Sequence, residues 1–441
     1  MAIRVNRGLV FVFCFLNNFM VFGMIFSFGA FFVELLDKFQ KDRATTATVQ
    51  SLLVGVTLSF GVVSGALISK LGLPWVTLLS CILVPLGFGV SFFATRIEHL
   101  YISIGIVSGV GISMGHISAV VIVGRIFTGK KRVLLLAVLN ASSSLSGLVY
   151  PYFINWLMTL FELSGTFLIL GAVCSNTFPL FILCWMNRST LKDFELSSRN
   201  SKIKTNTKNE APSPTIRHKG NFIINGVQTL REMVNTTYLL LLFACAISAA
   251  GINGYSGIIL DICRWKGFSK SRGLFTFVIF NIANAVSKLL PGVLKQKRGF
   301  NSFIYPIIST ISGCVGQLLL YKGQSYVLYV LGTCLSGVAI GGVVSAQFIL
   351  VLKAVPREFI PVGSGLLFTM SGVLSSTTGP IFGSLRDNFG TYGSVLLTVS
   401  VVEAIAAIFF VLALVYRRID NAKKQSEDTT ENSIEIIVTH L

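Results

Sequence analysis

The chain is built from apolar runs of about 20 residues, the length at which a helix crosses a bilayer, separated by short polar breaks. Twelve such runs are predicted, over residues 9–35, 48–69, 74–94, 99–124, 133–157, 164–186, 237–262, 273–294, 302–321, 325–352, 361–384 and 391–416. The one long polar interval follows the sixth run. It is rich in Lys, Arg, Ser, Thr and Asn, holds Pro212 and Pro214, and has no apolar period. Such a segment cannot bury enough surface to offset its ordering entropy, so a mostly disordered linker is expected, with a short surface helix near 227–234. The predicted organisation is a six-helix bundle over 1–186, a cytoplasmic linker over 187–236, a second six-helix bundle over 237–416 and a cytoplasmic tail over 417–441.

Composition supports an all-α membrane protein. Hydrophobic residues make up 53% of the 441 and charged residues only 12%, about half the share in a soluble domain. The formal charge of +18 would suggest nucleic acid in a soluble chain, but here the cations flank the apolar runs. With both termini inside, 25 of the 36 Lys and Arg fall on the cytoplasmic side, the distribution that orients membrane proteins. The expected setting is therefore a multi-pass protein of the plasma membrane with cytoplasmic termini, and no nucleic-acid partner. The eight cysteines show no CxxC or paired spacing and read as packing residues. No HExxH, paired carboxylates or Ser-His-Asp set is present, so an enzyme, a metal or a cofactor finds no support. Twelve runs are too many for a heptahelical receptor, and no filter loop or charged ring suggests a channel.

An internal repeat sharpens the architecture. Gly65-Ala66-Leu67-Ile68-Ser69-Lys70-Leu71-Gly72 and Gly292-Val293-Leu294-Lys295-Gln296-Lys297-Arg298-Gly299 both read G-x-L-x-x-K-x-G, at the equivalent loop of each half. The glycines are expected to allow close backbone approach at a tight turn. Two parallel six-span repeats joined by a long linker are the architecture of a major facilitator transporter, with its site near the midplane between the halves.

Four stretches resemble the monocarboxylate transporters of that superfamily. Ser27-Phe28-Gly29-Ala30-Phe31-Phe32-Val33-Glu34 is similar to S-x-G-V-F-F-x-E. Gly124-Arg125-Ile126-Phe127, Lys130-Lys131-Arg132 and Ala141-Ser142-Ser143 resemble elements around the fourth and fifth spans, and the stretch from Gly379 to Tyr392 resembles G-P-P-x-x-G-x-L-x-D-x-T-G-x-Y. In the eighth span, Asn284-Ala285-Val286-Ser287-Lys288-Leu289-Leu290-Pro291-Gly292 aligns without gaps on D-x-x-A-R-P-x-x-G. In the family, that Arg holds the substrate carboxylate and that Asp takes part in proton coupling. Here the cation is Lys288 and the acid has become Asn284; the family's first-span lysine is Phe26. The resemblance therefore implies transport with its proton-coupling residues missing.

Candidate site residues follow from polarity inside the spans. Lys288 is the sharpest, because a charge at the bilayer centre costs about 2.5–3.5 kcal/mol on insertion scales. It either contacts an anionic substrate or snorkels to the span end. Asn284 shares its helical face and either binds substrate or orients Lys288. Asn17, Asn18 and Asn281 are substrate contacts or interhelical hydrogen bonds, and Phe26 lines the cavity or packs. Arg125 is a gate or an interface anchor. His116 and Glu403 are candidate proton carriers, with a structural hydrogen-bonding role as the other reading of each. The tail ends Thr439-His440-Leu441, the form a PDZ groove takes as an added strand.

The expected function is alternating-access carriage of a small organic monocarboxylate or related carboxylated solute, not coupled to protons through the usual family residues. An amino-acid or zwitterion facilitator of the same fold is the alternative, and a sensor or scaffold that does not transport is the alternative of another class. The family resemblance also implies a single-span immunoglobulin-like ancillary glycoprotein as a partner.

Overall fold

The computed structural model describes residues 7–127, 129–186, 235–294, 302–355 and 360–439, and their regular structure is entirely helical. Residues 187–234, including the expected surface helix at 227–234, lie outside the described residues. The first span is α1 (Arg7–Phe26) followed by α2 (Gly29–Phe39), broken at Ser27-Phe28. The second is α3 (Arg43–Ser59) with α4 (Gly61–Leu71), bent by 47°. The third is α5 (Leu73–Val90). The fourth joins α6 (Ile97–Leu100), a π-helical stretch at Tyr101–Ser108 and α7 (Gly109–Ile126). The fifth and sixth run through α8 (Gly129–Ser175) into α9 (Phe178–Met186). The remaining six are α10 (Thr236–Trp265), α11 (Lys270–Leu294), α12 (Ile304–Lys322), α13 (Tyr326–Ala354), α14 (Ile360–Phe389) and α15 (Gly393–Thr439).

Length and hydropathy alone identify nine spans, or ten when the bent α3–α4 pair is joined. Two more emerge from the fold. The apolar segment Leu134–Met186 is a pair of spans folded back at Glu162, whose φ of 55° and ψ of −174° form the break inside α8. α14 is as long as its neighbours but too polar for a hydropathy test, because it carries five glycines and a row of Ser and Thr between Gly363 and Gly383. Side chains close several helix starts: Asp42 accepts from the Thr45 amide at 3.2 Å, and Asn235 from that of Tyr238 at 2.7 Å. The last helix continues to Thr439, well past the expected span end at 416; His440 and Leu441 lie outside the described residues.

Large apolar side chains such as Leu86, Ile308, Val401 and Ile408 project outward, as lipid requires, while Ser, Thr, Asn and Gln are buried between helices. The first six spans and the last six meet along α3–α14 and α8–α11, with α2 against α10. Backbones touch along the α3–α14 seam. A Cβ added at Gly372 would lie 2.6 Å from the Gly55 carbonyl oxygen, and one at Gly379 2.6 Å from that of Ala47. The Gly379 amide also donates to Ser51 Oγ at 2.9 Å. The repeat motif behaves differently from expectation. Gly65 has open space where a Cβ would stand, so it mediates no close approach; Gly72 earns its place through a φ of 90° at the turn into α5. Most of the second repeat copy lies outside the described residues.

Substituting Gly379→Ala is expected to destabilise the folded protein by about 1–3 kcal/mol, since the added Cβ meets the Ser51 hydroxyl and, behind it, the Ala47 backbone. Gly65→Ala should leave stability unchanged. Thermal unfolding of the detergent-solubilised protein, followed by fluorescence-detected size exclusion, distinguishes the two.

Candidate functional site

One face of α11 points outward through Ile282, Val286, Leu289 and Leu290, all exposed, while Asn281, Asn284, Ser287 and Lys288 on the opposite face are buried. Helical spacing makes this division, and it settles the orientation of Lys288. The side chain does not snorkel. It crosses from α11 to α8 in the other half, where Nζ donates to Ser143 Oγ at 2.9 Å and to Ser144 Oγ at 2.8 Å. The ammonium also lies 5.0 Å from the ring centroid of Phe26. Its contacts are two hydroxyls and an aromatic face, and no carboxylate is among them. Ser143 in turn donates to the Asn140 carbonyl at 2.7 Å, which leaves its lone pairs for Lys288.

The contacts continue from Phe26 along α1. Phe22, one turn earlier, stacks on Phe26 with centroids 6.2 Å apart, and meets His116 of α7 edge to face at 4.9 Å. His116 Nδ1 lies 3.3 Å from Asn18 Oδ1, while Asn18 Nδ2 donates to the Leu139 carbonyl at 3.3 Å. Lys288, Phe26, Phe22, His116 and Asn18 thus form one continuous lining contributed by α1, α7 and α11. Phe22, Phe26 and His116 are only half-buried, although they lie inside the bundle.

The other candidates divide. Asn17 donates to the Gly115 carbonyl at 3.3 Å and serves α1–α7 packing. Asn281 donates to the Phe277 carbonyl at 3.0 Å and lies against Gly147, where it spaces α11 from α8. Asn284 is fully buried and neither its Oδ1 nor its Nδ2 has a partner, so it does not orient Lys288 by hydrogen bonding. Glu403 is remote from this cluster: it sits between α10, α12 and α15 and accepts from Ser248 Oγ at 3.0 and 2.9 Å. Arg125 ends α7, at the end of the bundle that carries the termini. Phe22 and Ser144 were not singled out from sequence. A stacking partner four residues before Phe26 was a signal available for the first; Ser144 had none beyond its place beside the Ser142-Ser143 motif.

A second polar cluster closes the end of the bundle away from the termini, and all four of its ion pairs join one half to the other. Arg43 Nε meets Asp261 Oδ2 at 2.7 Å and Nη1 meets Asp387 Oδ1 at 3.5 Å; Arg264 pairs with Asp37 at 3.2 Å and Lys270 with Glu34 at 2.8 Å. The backbone amide of Arg43 also donates to Asp387 Oδ2 at 2.8 Å. The buried Asp261 takes the Tyr392 hydroxyl as well, and Arg386 lies over the Tyr392 ring at 5.2 Å.

A twelve-span helical bundle with a buried lysine and a polar, aromatic lining where its halves meet defines a membrane transporter. Residues 14–380 match the model of the Major Facilitator Superfamily, and the chain belongs to that superfamily. Among curated relatives, it is 22% identical to monocarboxylate transporter 6 of Homo sapiens over 86% of this chain and 75% of that one. It is likewise 22% identical to monocarboxylate transporter 12 of Mus musculus, over 94% and 86% of the two chains. Among solved structures, the fold matches a POT family transporter in complex with 5-aminolevulinic acid, with a TM-score of 0.65 at 14% identity over 93% of this chain and 95% of that chain.

Removing Arg43 leaves the Asp261 carboxylate buried beside a neutral phenol. Arg43→Ala is therefore expected to lower stability by about 3 kcal/mol, and Asp261→Asn in the same chain to recover part of that loss. A double-mutant cycle on thermal midpoints tests it; equal, additive losses would show the pair to be uncoupled.

Proposed function

We propose that the protein carries a small organic monocarboxylate across the plasma membrane, with its termini in the cytoplasm, by alternating access of a site between its halves. The observation that carries this reading is the ammonium of Lys288, which spans the boundary between the halves with only hydroxyls and a ring around it. A carboxylate arriving there supplies the charge partner that the protein withholds, and Ser144 can turn its O–H group toward the same anion. The relatives named as monocarboxylate transporters agree with this substrate class.

Charge inventory weighs against a zwitterion. An ammonium group on the solute would stand near Lys288 with no acid of the lining to receive it. The acid and the lysine of the family's coupling set are Asn284 and Phe26 here, so flux follows the solute gradient alone. The ion pairs at the far end close the outer mouth in this reading, and they must part and re-form in each cycle. Docking of the Thr439-His440-Leu441 tail to a PDZ domain, and an immunoglobulin-like ancillary glycoprotein, remain separate proposals about partners.

In proteoliposomes, Lys288→Ala should reduce carboxylate uptake at least about tenfold without loss of folded protein, since charge-assisted hydrogen bonds are worth about 1.5–3 kcal/mol. Lys288→Arg should retain part of the flux. Uptake by the unaltered protein should change less than about twofold between mildly acidic and neutral external pH; strong acid stimulation would contradict uncoupled transport.

A further inference from the structure

The lining beyond Lys288 has a direction that a bare carboxylate does not use. Asn18 fixes it. Its Nδ2 is spent on the Leu139 carbonyl, so the atom facing His116 is Oδ1, an acceptor. His116 Nδ1 must then carry the proton and donate, which in the neutral ring leaves Nε2 as a lone-pair acceptor. Among the described residues Nε2 has no hydrogen-bond partner and is not one of the fully buried unpartnered atoms, so it keeps accessible surface. Between this acceptor and the ammonium lie Phe22 and Phe26, half-buried and stacked. The sequence of chemistries is cation, flat apolar surface, acceptor.

We propose that the carried solute is an aryl carboxylate with a hydrogen-bond donor at the end remote from its carboxylate, such as a hydroxyaryl alkanoate. This rests on the carboxylate reading of Lys288. The carboxylate meets Lys288 and Ser144, the ring lies along Phe22 and Phe26, and the remote O–H donates to His116 Nε2. Offset or edge-to-face contact with the two phenyl rings favours a flat body over a branched aliphatic one. A site built to accept a hydrogen bond penalises the analogue that lacks the donor, because its polar atom is then left unpaired. His116 and Asn18 are in this account specificity residues, with Asn18 acting through the orientation of the imidazole.

The test compares 4-hydroxyphenylacetate with 4-methoxyphenylacetate, which keeps the ring and the carboxylate but has no donor, in proteoliposomes of the full-length protein. Lactate and pyruvate serve as references. The hydroxy acid should show kcat/KM at least about tenfold above its methyl ether. His116→Leu should bring that ratio to near unity, and His116→Gln, whose amide oxygen can still accept, should hold it between the two. Phe22→Ala should lower kcat/KM for both aryl acids relative to lactate. A ratio near unity in the unaltered protein, or one that His116→Leu leaves unchanged, overturns the proposal. If lactate and both aryl acids are then carried alike and all are lost in Lys288→Ala, the carboxylate reading survives it. Failure to carry any of these acids sinks both.

Discussion

The structure depends on how one ammonium is accommodated in a low-dielectric bundle. Born desolvation makes a lone charge there far more costly than a neutral polar group, and proteins ordinarily respond by placing an acid beside it. This chain supplies Ser143 and Ser144 and the face of Phe26 instead. Hydroxyl dipoles and a ring quadrupole lower the cost without cancelling the charge. The field of Lys288 is left directed at whatever occupies the space between the halves. An acid at 284, one turn earlier on the same face, would have absorbed it; the amide there leaves it available.

Where Lys288 has no acid beside it, the far end of the bundle joins its halves by ion pairs. Arg43 bridges acids on two helices of the other half, and the remaining pairs connect α2 to α10 and α11. The exposed pairs contribute little individually, but Asp261 is buried and cannot lose Arg43 without first gaining water. The seam between α3 and α14 works on another principle, with glycines bringing backbones into contact along its length. Close packing is sensitive to small displacements, whereas ion pairs exchange readily for hydrated ions. The two devices hold the boundary differently, one by shape and the other by charge.

Local features were legible in the sequence, and pairings across the halves were not. Span positions and the shared face of Asn284 and Lys288 follow from hydropathy and helical period. The span least marked by hydropathy is α14, whose glycines, Ser and Thr dilute its apolar run. Ser144, Phe22 and the Arg43 cluster acquire meaning only from partners far along the chain, Arg43 and Asp387 being 344 positions apart. Gly65 shows the reverse error: a repeated pattern suggested close approach, but repetition records a shared turn and not a shared contact.

The placement of His116 follows from the same economy of charge. A titrating imidazole near Lys288 would add a second cation to a chamber whose use depends on having one. Asn18 acts against this by engaging Nδ1–H through an amide oxygen, a partner that needs no charge on the ring, while its own amide is tied to the backbone of α8. An Asp in that position would instead stabilise imidazolium and neutralise part of the field that Lys288 presents. In the reading proposed above, the neutral tautomer makes His116 a fixed acceptor, so that recognition at that end of the lining would be set by hydrogen-bond direction and recognition at the other by charge.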